Sequence, residues 1–343
     1  MTLIQLAEAR LVPDLLIRYG IRRLLARRLK KISSDSTMEK QFAVRRFAET
    51  LRQDPVAIDT QAANDQHYEV PAAFFENVLG PRLKYSCCLF EEPGSTLADA
   101  EKTMLRLTCE RAELSNGMRT LELGCGWGSL TIWIAQNYPD CHITAVSNSS
   151  SQRKFIESRA RDLGLKNVCV ITADMRTFDT DLQYDRVISV EMFEHMRNYE
   201  LLFRRIARWL KPEGKLFAHV FCHREFPYAF QTEGADNWMG RHFFTGGIMP
   251  AIDLFHEFNR DLTVTRQWQM NGSHYWRTCE AWLKNLDTNY EKIIAILEPG
   301  HPSEAKRIIQ RWRMFFMACA ELFRFQAGEE WFVAHFQFSR RAA

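Results

Sequence analysis

Three side chains that could move a proton stand close together in the sequence: Glu191, Glu194 and His195. They follow directly on residues 184–190, which have the length and composition of a buried strand. Carboxylates and an imidazole in such a cluster can accept a proton from a reacting molecule or stabilise a developing positive charge. The spacing of Glu191 and His195 also resembles that of some metal motifs. The sequence suggests no third ligand, however, and we expect no metal here.

A glycine-rich loop lies between a predicted strand and a predicted helix. Gly124, Gly126 and Gly128 let the backbone turn tightly, and without Cβ atoms they let a ligand lie against the main chain. Glu122 places a carboxylate just before them. Dinucleotides also bind such loops, but their fingerprint has the spacing Gly-x-Gly-x-x-Gly. The spacing here, Glu-x-Gly-x-Gly-x-Gly, resembles the signature of class I methyltransferases that use S-adenosylmethionine (SAM).

SAM is a sulfonium cation that carries an amino acid and a nucleoside, so it needs a carboxylate-lined cradle, a ribose partner and a slot for adenine. In most enzymes of this class an acidic residue ends the second strand and holds the ribose. Here that strand ends in uncharged polar residues, and we expect Asn148 or Gln152, beside Ser147, to bind the ribose instead. After the third strand, Asp174 and Met175 are expected at the adenine. Asp174 could alternatively cap a helix.

Predicted strands and helices alternate along most of the chain. Alternating units of this size indicate a parallel sheet covered by helices on both faces, with ligands at the carboxyl ends of the strands. The glycine loop and the proton-accepting cluster would then meet at one edge. Strands are predicted at residues 118–123, 142–147, 167–172, 184–190, 215–221 and 261–270, helices at 96–115, 128–137, 151–163, 196–210, 276–287, 288–297 and 303–325, and a closing edge strand at 330–338.

Further segments are placed to line a site. His219 follows the fifth strand at the same edge, although a histidine at a strand end is more often structural than catalytic. Residues 66–71 and 83–90 combine aromatic and polar side chains without strong periodicity, as expected either of the walls of a site or of ordinary loops. Residues 222–260 contain many aromatic residues and are too long for a simple turn, so they are a candidate lid or acceptor pocket.

The charge of the chain is concentrated at its start. The net charge is +3, but residues 1–31 contain eight Arg and Lys residues against two acidic ones. Apolar residues recur there at helical spacing opposite the basic ones, in a helix interrupted near Pro13. Such a helix could lie on a membrane surface or pack on its own domain with its basic side in solvent. The rest of the sequence has no clusters of basic and aromatic residues of the kind that bind nucleic acid, so we expect no nucleic-acid partner.

Cysteine usage and hydropathy bear on the compartment. Nine cysteines without paired-ligand spacing indicate reduced thiols in a cytosol rather than a disulfide framework or a zinc site. No apolar run approaches the roughly 18 residues that span a bilayer. We therefore expect a cytoplasmic protein, located at the inner membrane surface if the basic helix contacts lipid.

These motifs together resemble the cyclopropane-fatty-acyl-phospholipid synthase superfamily, over residues 64–340. Tyr85, Ser86 and Cys87 look like the segment that covers the cofactor in that family, and the acid-free second strand with Gln152 is a family feature as well. Members that cyclopropanate lipids hold a bicarbonate ion through a Cys, a Glu, a His, a Tyr and one main-chain group. The matching positions in this chain are Cys87, Glu194, His219, Tyr275 and Phe221.

The chain is also similar to the plant coclaurine N-methyltransferase branch. The residues that correspond to Glu191, Glu194 and His195 serve the amine in that branch. Tyr275 stands where a Met is usual there, and this difference favours bicarbonate. The two resemblances imply different methyl acceptors. An alkene becomes a carbocation and must then lose a proton, whereas an amine only has to shed its proton.

The sequence therefore predicts a class I, Rossmann-like α/β fold with a seven-stranded, mostly parallel sheet. Residues 1–60 would form a helical extension and linker, and residues 61–343 the methyltransferase domain, with insertions at 222–260 and 276–326. The preferred acceptor is an unsaturated acyl chain of a phospholipid, because the basic first helix and the aromatic insertion suit a lipid. A small cyclic or aromatic amine is the alternative, and a non-catalytic, membrane-associated SAM-binding protein is the third hypothesis.

Overall fold

The computed structural model describes residues 2–33, 36–58 and 70–341. Most of the predicted wall segment 66–71 lies outside the described residues, as does the predicted boundary between residues 60 and 61. The helices are α1 (Leu3–Glu8), α2 (Asp14–Ile32), α3 (Thr37–Gln53), α4 (Ala72–Val78), α5 (Leu97–Arg111), α6 (Ser129–Asn137), α7 (Ser150–Asp162), α8 (Tyr199–Trp209), α9 (Trp238–His242), α10 (Ser273–Thr288), α11 (Tyr290–Leu297) and α12 (Ala305–Arg324). The strands are β1 (Arg119–Leu123), β2 (His142–Ser147), β3 (Val168–Thr172), β4 (Tyr184–Val190), β5 (Leu210–His223), β6 (Tyr228–Ala229), β7 (Ile248–Met249), β8 (Leu262–Met270) and β9 (Trp331–Arg340).

Seven strands form one sheet in the order β3-β2-β1-β4-β5-β9-β8. β1 to β5 are parallel, and β9 is antiparallel to both of its neighbours. The predicted seven-stranded, mostly parallel sheet is therefore confirmed. The prediction of an edge strand at residues 330–338 was wrong, because β9 lies between β5 and β8. Its side chains are buried from Trp331 to Phe338, as an interior strand covered on both faces requires.

The polar segment before the domain contains a long helix rather than the predicted linker. The side chain of Ser36 accepts a hydrogen bond from the N–H of Glu39 at 3.4 Å and caps α3. Val44, Ala48 and Leu51 recur at helical spacing on its buried side. The surrounding charged residues concealed this narrow apolar stripe in the sequence.

Helix α2 packs on the domain. The predicted interruption at Pro13 separates it from α1. Ile17 is buried, and Arg18 forms ion pairs with Glu280 at 2.6 Å and with Glu321 at 3.1 Å. The structure thus shows the packing that was one of the two alternatives for this helix. Among the described residues, no helix is long and apolar enough to cross a membrane. Contact with a membrane surface stays a prediction, since α2 also exposes the apolar residues Leu15, Leu16 and Tyr19.

The two predicted insertions pack on each other above the carboxyl end of the sheet. The connection after β5 contains the small antiparallel pair β6–β7 and, between these two strands, the short helix α9. Phe243 from this connection stacks on Phe315 of α12, with ring centroids 4.2 Å apart. The ring of Phe243 also lies edge-on to that of Trp312 in the same helix, with centroids 5.2 Å apart. These aromatic contacts join the insertions into one wall over the strand ends.

Candidate active site

The glycine loop turns between β1 and α6 with all three glycines at positive φ, 78°, 52° and 77° for Gly124, Gly126 and Gly128. A Cβ on Gly124 would lie 2.7 Å from the side chain of Met192, and one on Gly128 would lie 2.6 Å from that of Ile156. A Cβ on Gly126 would meet no atom within 4 Å. The loop therefore needs glycine for its conformation and packing, and it leaves open space at Gly126 where a ligand can approach the main chain.

The end of β2 and the start of α7 carry the expected ribose partners. Ser147 donates a hydrogen bond from Oγ to Oε1 of Gln152 at 2.6 Å, which fixes the orientation of the amide. Nε2 of Gln152 is buried and has no hydrogen-bond partner within the described ranges. A buried donor without a hydrogen-bond partner costs about 1–3 kcal/mol. Gln152 lines a cavity of about 700 Å³ together with Asn148 and Met175, so these residues fit the nucleoside half of SAM.

Asp174 closes the turn after β3. Its Oδ1 accepts a hydrogen bond from the N–H of Arg176 at 2.8 Å, and its Oδ2 accepts two from the guanidinium of the same residue. Ala173 and Met175, rather than Asp174, line the cavity. The carboxylate thus has a local role in the turn, and its contact with adenine stays a prediction.

A second cavity, of about 980 Å³, adjoins the first and shares Gly124, Gly126 and His195 with it. Glu122 lines it, and Oε2 of this residue accepts a hydrogen bond from the hydroxyl of Thr131 at 2.5 Å. Burial raises the pKa of Glu122 to about 8. A cation beside the carboxylate would lower this pKa again and so restore the negative charge of Glu122. The carboxylate therefore fits the amino-acid half of SAM, which carries positive charge. Two further predicted cofactor residues, Tyr85 and Ser86, line the same cavity.

Glu191 is the centre of the hydrogen bonds in this second cavity. Its Oε1 accepts a hydrogen bond from the N–H of Cys87 at 2.9 Å and lies 3.1 Å from Nε2 of His219. Its Oε2 accepts one from the hydroxyl of Tyr275 at 2.5 Å. The residue has a φ of 49°, a left-handed conformation that costs a non-glycine residue about 1–3 kcal/mol. Three residues that the sequence predicted for the site, Cys87, His219 and Tyr275, therefore contact one carboxylate, and the residue that carries it has a strained backbone.

Lys84 is a functional candidate that sequence reasoning missed. It is buried and lines the cavity, and its Nζ donates to Oγ of Ser86 at 2.5 Å and to the carbonyl of Cys87 at 2.8 Å. Burial raises the pKa of Glu191, and the positive charge of Lys84 opposes that rise. The sequence feature that could have identified it is the single lysine in the apolar and aromatic segment 83–90, because a charge buried there requires a partner.

Glu194 and His195 follow Glu191 but occupy different environments. Oε1 of Glu194 accepts a hydrogen bond from the N–H of Phe221 at 2.7 Å, and the residue lines neither cavity. Burial, and then the charge of Glu191, raise the pKa of Glu194 well above the usual range, which favours its neutral form. His195 lines both cavities and stacks on Phe244 with ring planes 10° apart. Burial lowers the pKa of His195 to about 4, so its imidazole is neutral.

The residues present do not fit the bicarbonate ion that the resemblance implied. The N–H of Cys87, the ring of His219 and the hydroxyl of Tyr275 already face the carboxylate of Glu191. The thiol of Cys87 points to the carbonyl of Cys88 at 3.4 Å, and burial raises its pKa well above the usual range. A side chain of the protein thus takes the place of the ion. Among the described residues, no group of three or more His, Cys, Asp or Glu side chains could hold a metal ion.

Comparison with known proteins shows the family of the chain. The family model described as mycolic acid cyclopropane synthetase matches residues 57–331. The chain belongs to this family. It is 40% identical to (S)-coclaurine N-methyltransferase of Thalictrum flavum subsp. glaucum, over 99% of this chain and 95% of that protein. It is 30% identical to cyclopropane-fatty-acyl-phospholipid synthase of Escherichia coli strain K12, over 78% of this chain and 66% of that protein. Both predicted resemblances are therefore confirmed.

Solved structures extend the comparison to three dimensions. A crystal structure of coclaurine N-methyltransferase bound to N-methylheliamine and S-adenosylhomocysteine has a TM-score of 0.95 and 39% identity, and the match covers 98% of each chain. The cyclopropane synthase MmaA2 of Mycobacterium tuberculosis has a TM-score of 0.72 at 23% identity, over 84% of this chain and all of that one, and shares the fold. The family and these relatives identify the chain as a SAM-dependent methyltransferase with the class I fold.

Proposed function

We propose that this methyltransferase transfers the methyl group of SAM to the nitrogen of a small amine that carries an aromatic ring, and that Glu191 accepts the proton of the amine. The observation that carries the proposal is the carboxylate of Glu191, which is bound by Cys87, Tyr275 and His219 and lines the cavity beside the glycine loop. The coclaurine N-methyltransferase relatives support the same class of acceptor.

The walls around this carboxylate suit a cationic, ring-bearing acceptor. Phe221, Phe244, Phe315 and Trp282 line the same cavity as Glu191. Aromatic faces attract a cation through their quadrupole by about 0.5–2 kcal/mol each, and a buried carboxylate adds a direct ion pair. A protonated amine fused to an aromatic ring would satisfy both contacts, whereas a neutral alkene would satisfy neither.

The chemistry requires a base at this position. An amine is largely protonated in neutral water, and its lone pair is exposed only after the proton leaves. Glu191 accepts that proton, and the nitrogen then attacks the methyl carbon in line as the carbon–sulfur bond breaks. The bonding electrons go to sulfur, so neutral S-adenosylhomocysteine leaves and the positive charge moves to the methylated nitrogen. Burial raises the pKa of Glu191, which brings its basicity closer to that of a useful general base.

The acyl-chain acceptor preferred from the sequence has less support. It depended on a bound base to remove a proton from a carbocation, and three of the five groups expected to hold that base, Cys87, His219 and Tyr275, already bind Glu191. It also depended on α2 as a lipid-binding helix, and the apolar residue Ile17 of α2 is buried against the domain. The amine acceptor, which was the alternative, is therefore the proposal.

A direct test is to incubate the purified chain with methyl-labelled SAM and two acceptors in parallel. One is coclaurine, and the other is vesicles of unsaturated phosphatidylglycerol. We expect label in the amine, with a mass gain of one CH2, and none in the lipid. A reaction without acceptor controls for self-labelling. Label in the acyl chains and none in the amine would overturn the proposal.

A further inference from the structure

A chain of hydrogen bonds runs from Glu191 through the sheet to the end of α5. Nε2 of His219 lies 3.1 Å from Oε1 of Glu191, and Nδ1 of the same ring lies 2.9 Å from Nε2 of His335. Nδ1 of His335 lies 2.8 Å from a guanidinium nitrogen of Arg111. Both imidazoles are fully buried. Four side chains from four different segments are thus connected in one line, and the amine chemistry uses only the first of them directly.

The fold places these residues in line. His219 and His335 are directly opposite each other in the antiparallel pair β5–β9, so their side chains project from the same face of the sheet. The main-chain N–H of Glu191 donates to the carbonyl of His219 at 2.8 Å, which fixes the start of the line to β5. Arg111 ends α5, and its guanidinium lies over the ring of Trp268 at 4.9 Å. Each member is therefore held by contacts outside the line.

The chemistry of Arg111 determines the direction of every hydrogen bond in the line. A guanidinium group has donors only, so Nδ1 of His335 must accept. A neutral imidazole has one donor and one acceptor, and burial lowers the pKa of both histidines well below the usual range. Nε2 of His335 therefore carries the proton and donates to Nδ1 of His219. His219 in turn carries its proton on Nε2 and donates to Glu191.

We propose that Arg111 and His335 are positioning residues, which act through His219 to keep an N–H donor directed at the carboxylate of Glu191. The inference deepens the proposed function, since it rests on Glu191 as the group that faces the amine. The donor stabilises the ionised form that must accept the proton. The same line cannot conduct the proton outward, because a reversed line would end on Arg111 as an acceptor, which a guanidinium cannot be. The proton of the amine leaves through the cavity instead.

The tautomers can be measured without any methyl acceptor. Full-length protein labelled with 15N-histidine and saturated with S-adenosylhomocysteine is examined by long-range 1H–15N correlation spectra. The two residues are assigned by the loss of their signals in H219N and H335Q. We expect His219 and His335 to be neutral with the proton on Nε2. A proton on Nδ1 of His219, or a doubly protonated ring, would overturn the proposal. This measurement holds whichever acceptor proves correct, so its failure is distinct from the failure of the proposed function.

Turnover of coclaurine tests the consequence. His335→Leu has no donor for His219, and we expect kcat to fall about 10- to 100-fold, the scale of one hydrogen bond to a charged group, with the affinity for SAM unchanged. His335→Gln offers an amide donor and should recover most of that loss. Arg111→Met should lower kcat and mix the tautomers of His335, whereas Arg106→Met, an exposed arginine on the same helix, should do neither. Equal losses in the Leu and Gln variants, or a loss of SAM binding, would mean a merely structural role.

Discussion

The hydroxyl of Tyr275 donates a hydrogen bond to Oε2 of Glu191 over 2.5 Å. The N–H of Cys87 and the ring of His219 approach the other oxygen at 2.9 Å and 3.1 Å. The carboxylate is therefore oriented before any acceptor binds, and these contacts offset the strain of a φ of 49°. Groups that our sequence analysis assigned to an external ion bind a side chain of the protein itself.

Removal of that hydroxyl is the simplest test of its role. Tyr275→Phe keeps the ring stacked on Phe323, whose centroid is 4.3 Å away, and removes only the donor. A hydrogen bond to a charged group contributes about 1.5–3 kcal/mol, so we expect kcat with coclaurine to fall about 10- to 100-fold. The affinity for SAM should not change. Tyr228→Phe removes a hydroxyl that contacts Trp331 instead and should retain full activity. An unchanged kcat in Tyr275→Phe would contradict the role of this contact.

Glu122 should make stability depend on pH in the absence of SAM. Its pKa is about 8 in the folded protein and about 4.5 in the unfolded chain, so the folded state retains a proton that the unfolded chain releases between those values. The free energy of unfolding therefore falls as pH rises from about 4.5 to 8. Glu122→Gln removes this penalty and should stabilise the protein without cofactor at pH 8 by on the order of 2–4 kcal/mol. Urea denaturation measures the difference.

The same substitution should have the opposite effect on the cofactor. Glu122→Gln removes the interaction between an ionised Glu122 and the positive charges of SAM. We therefore expect the affinity for SAM, measured by calorimetric titration, to fall at least about tenfold. At pH 5 the two proteins should unfold with nearly equal free energy, which serves as the internal control. A variant that is less stable at pH 8, or one that binds SAM as well as the unchanged protein, is incompatible with this account.

Gln152 should affect binding and not chemistry. Gln152→Met has a similar length but lacks the buried Nε2 donor that no described residue satisfies. A neutral hydrogen bond contributes about 0.5–1.5 kcal/mol net, so the Kd for SAM should rise about 2- to 12-fold. Turnover at saturating SAM should be unchanged, because the residue lies in the nucleoside cavity. A lower kcat with an unchanged Kd would exclude the ribose role.

Local sequence patterns were sufficient to predict most of the fold. Residues 142–147 and 184–190 form strands where the apolar runs predicted them, because central parallel strands are buried on both faces. The interior position of β9 could not be read in this way, since the order of strands in a sheet depends on contacts between distant parts of the chain. Residues 37–53, predicted as linker, form a helix whose apolar stripe is too narrow to stand out among the charged residues of the sequence.

Only the part of the site that lies in local sequence motifs was predicted. The glycine loop and Glu191 lie in local motifs, and the structure brings them to one cavity. His335 was not identified, because only the antiparallel register of β5 and β9 places it opposite His219. Glu194 was expected beside the reacting groups, but it does not line the cavity. Residues three positions apart after a strand can face different sides, and spacing alone does not reveal which one faces the ligand.

The assignment of the base rests on the contrast between Glu191 and Glu194. Glu191 lines the cavity, whereas Glu194 does not: it is buried, it accepts a hydrogen bond from the N–H of Phe221, and burial raises its pKa in favour of the neutral form. An amide resembles a neutral carboxyl group closely and an ionised one poorly. Glu194→Gln is therefore a matched control for Glu191→Gln.

The most direct measurement is kcat for coclaurine in Glu191→Gln and in Glu194→Gln, with SAM binding measured in both. We predict that Glu191→Gln loses at least about 100-fold in kcat and still binds SAM, since a positioned general base typically contributes 10²- to 10⁴-fold. Glu194→Gln should retain kcat within about tenfold. A large loss in Glu194→Gln together with near-normal turnover in Glu191→Gln would contradict the account.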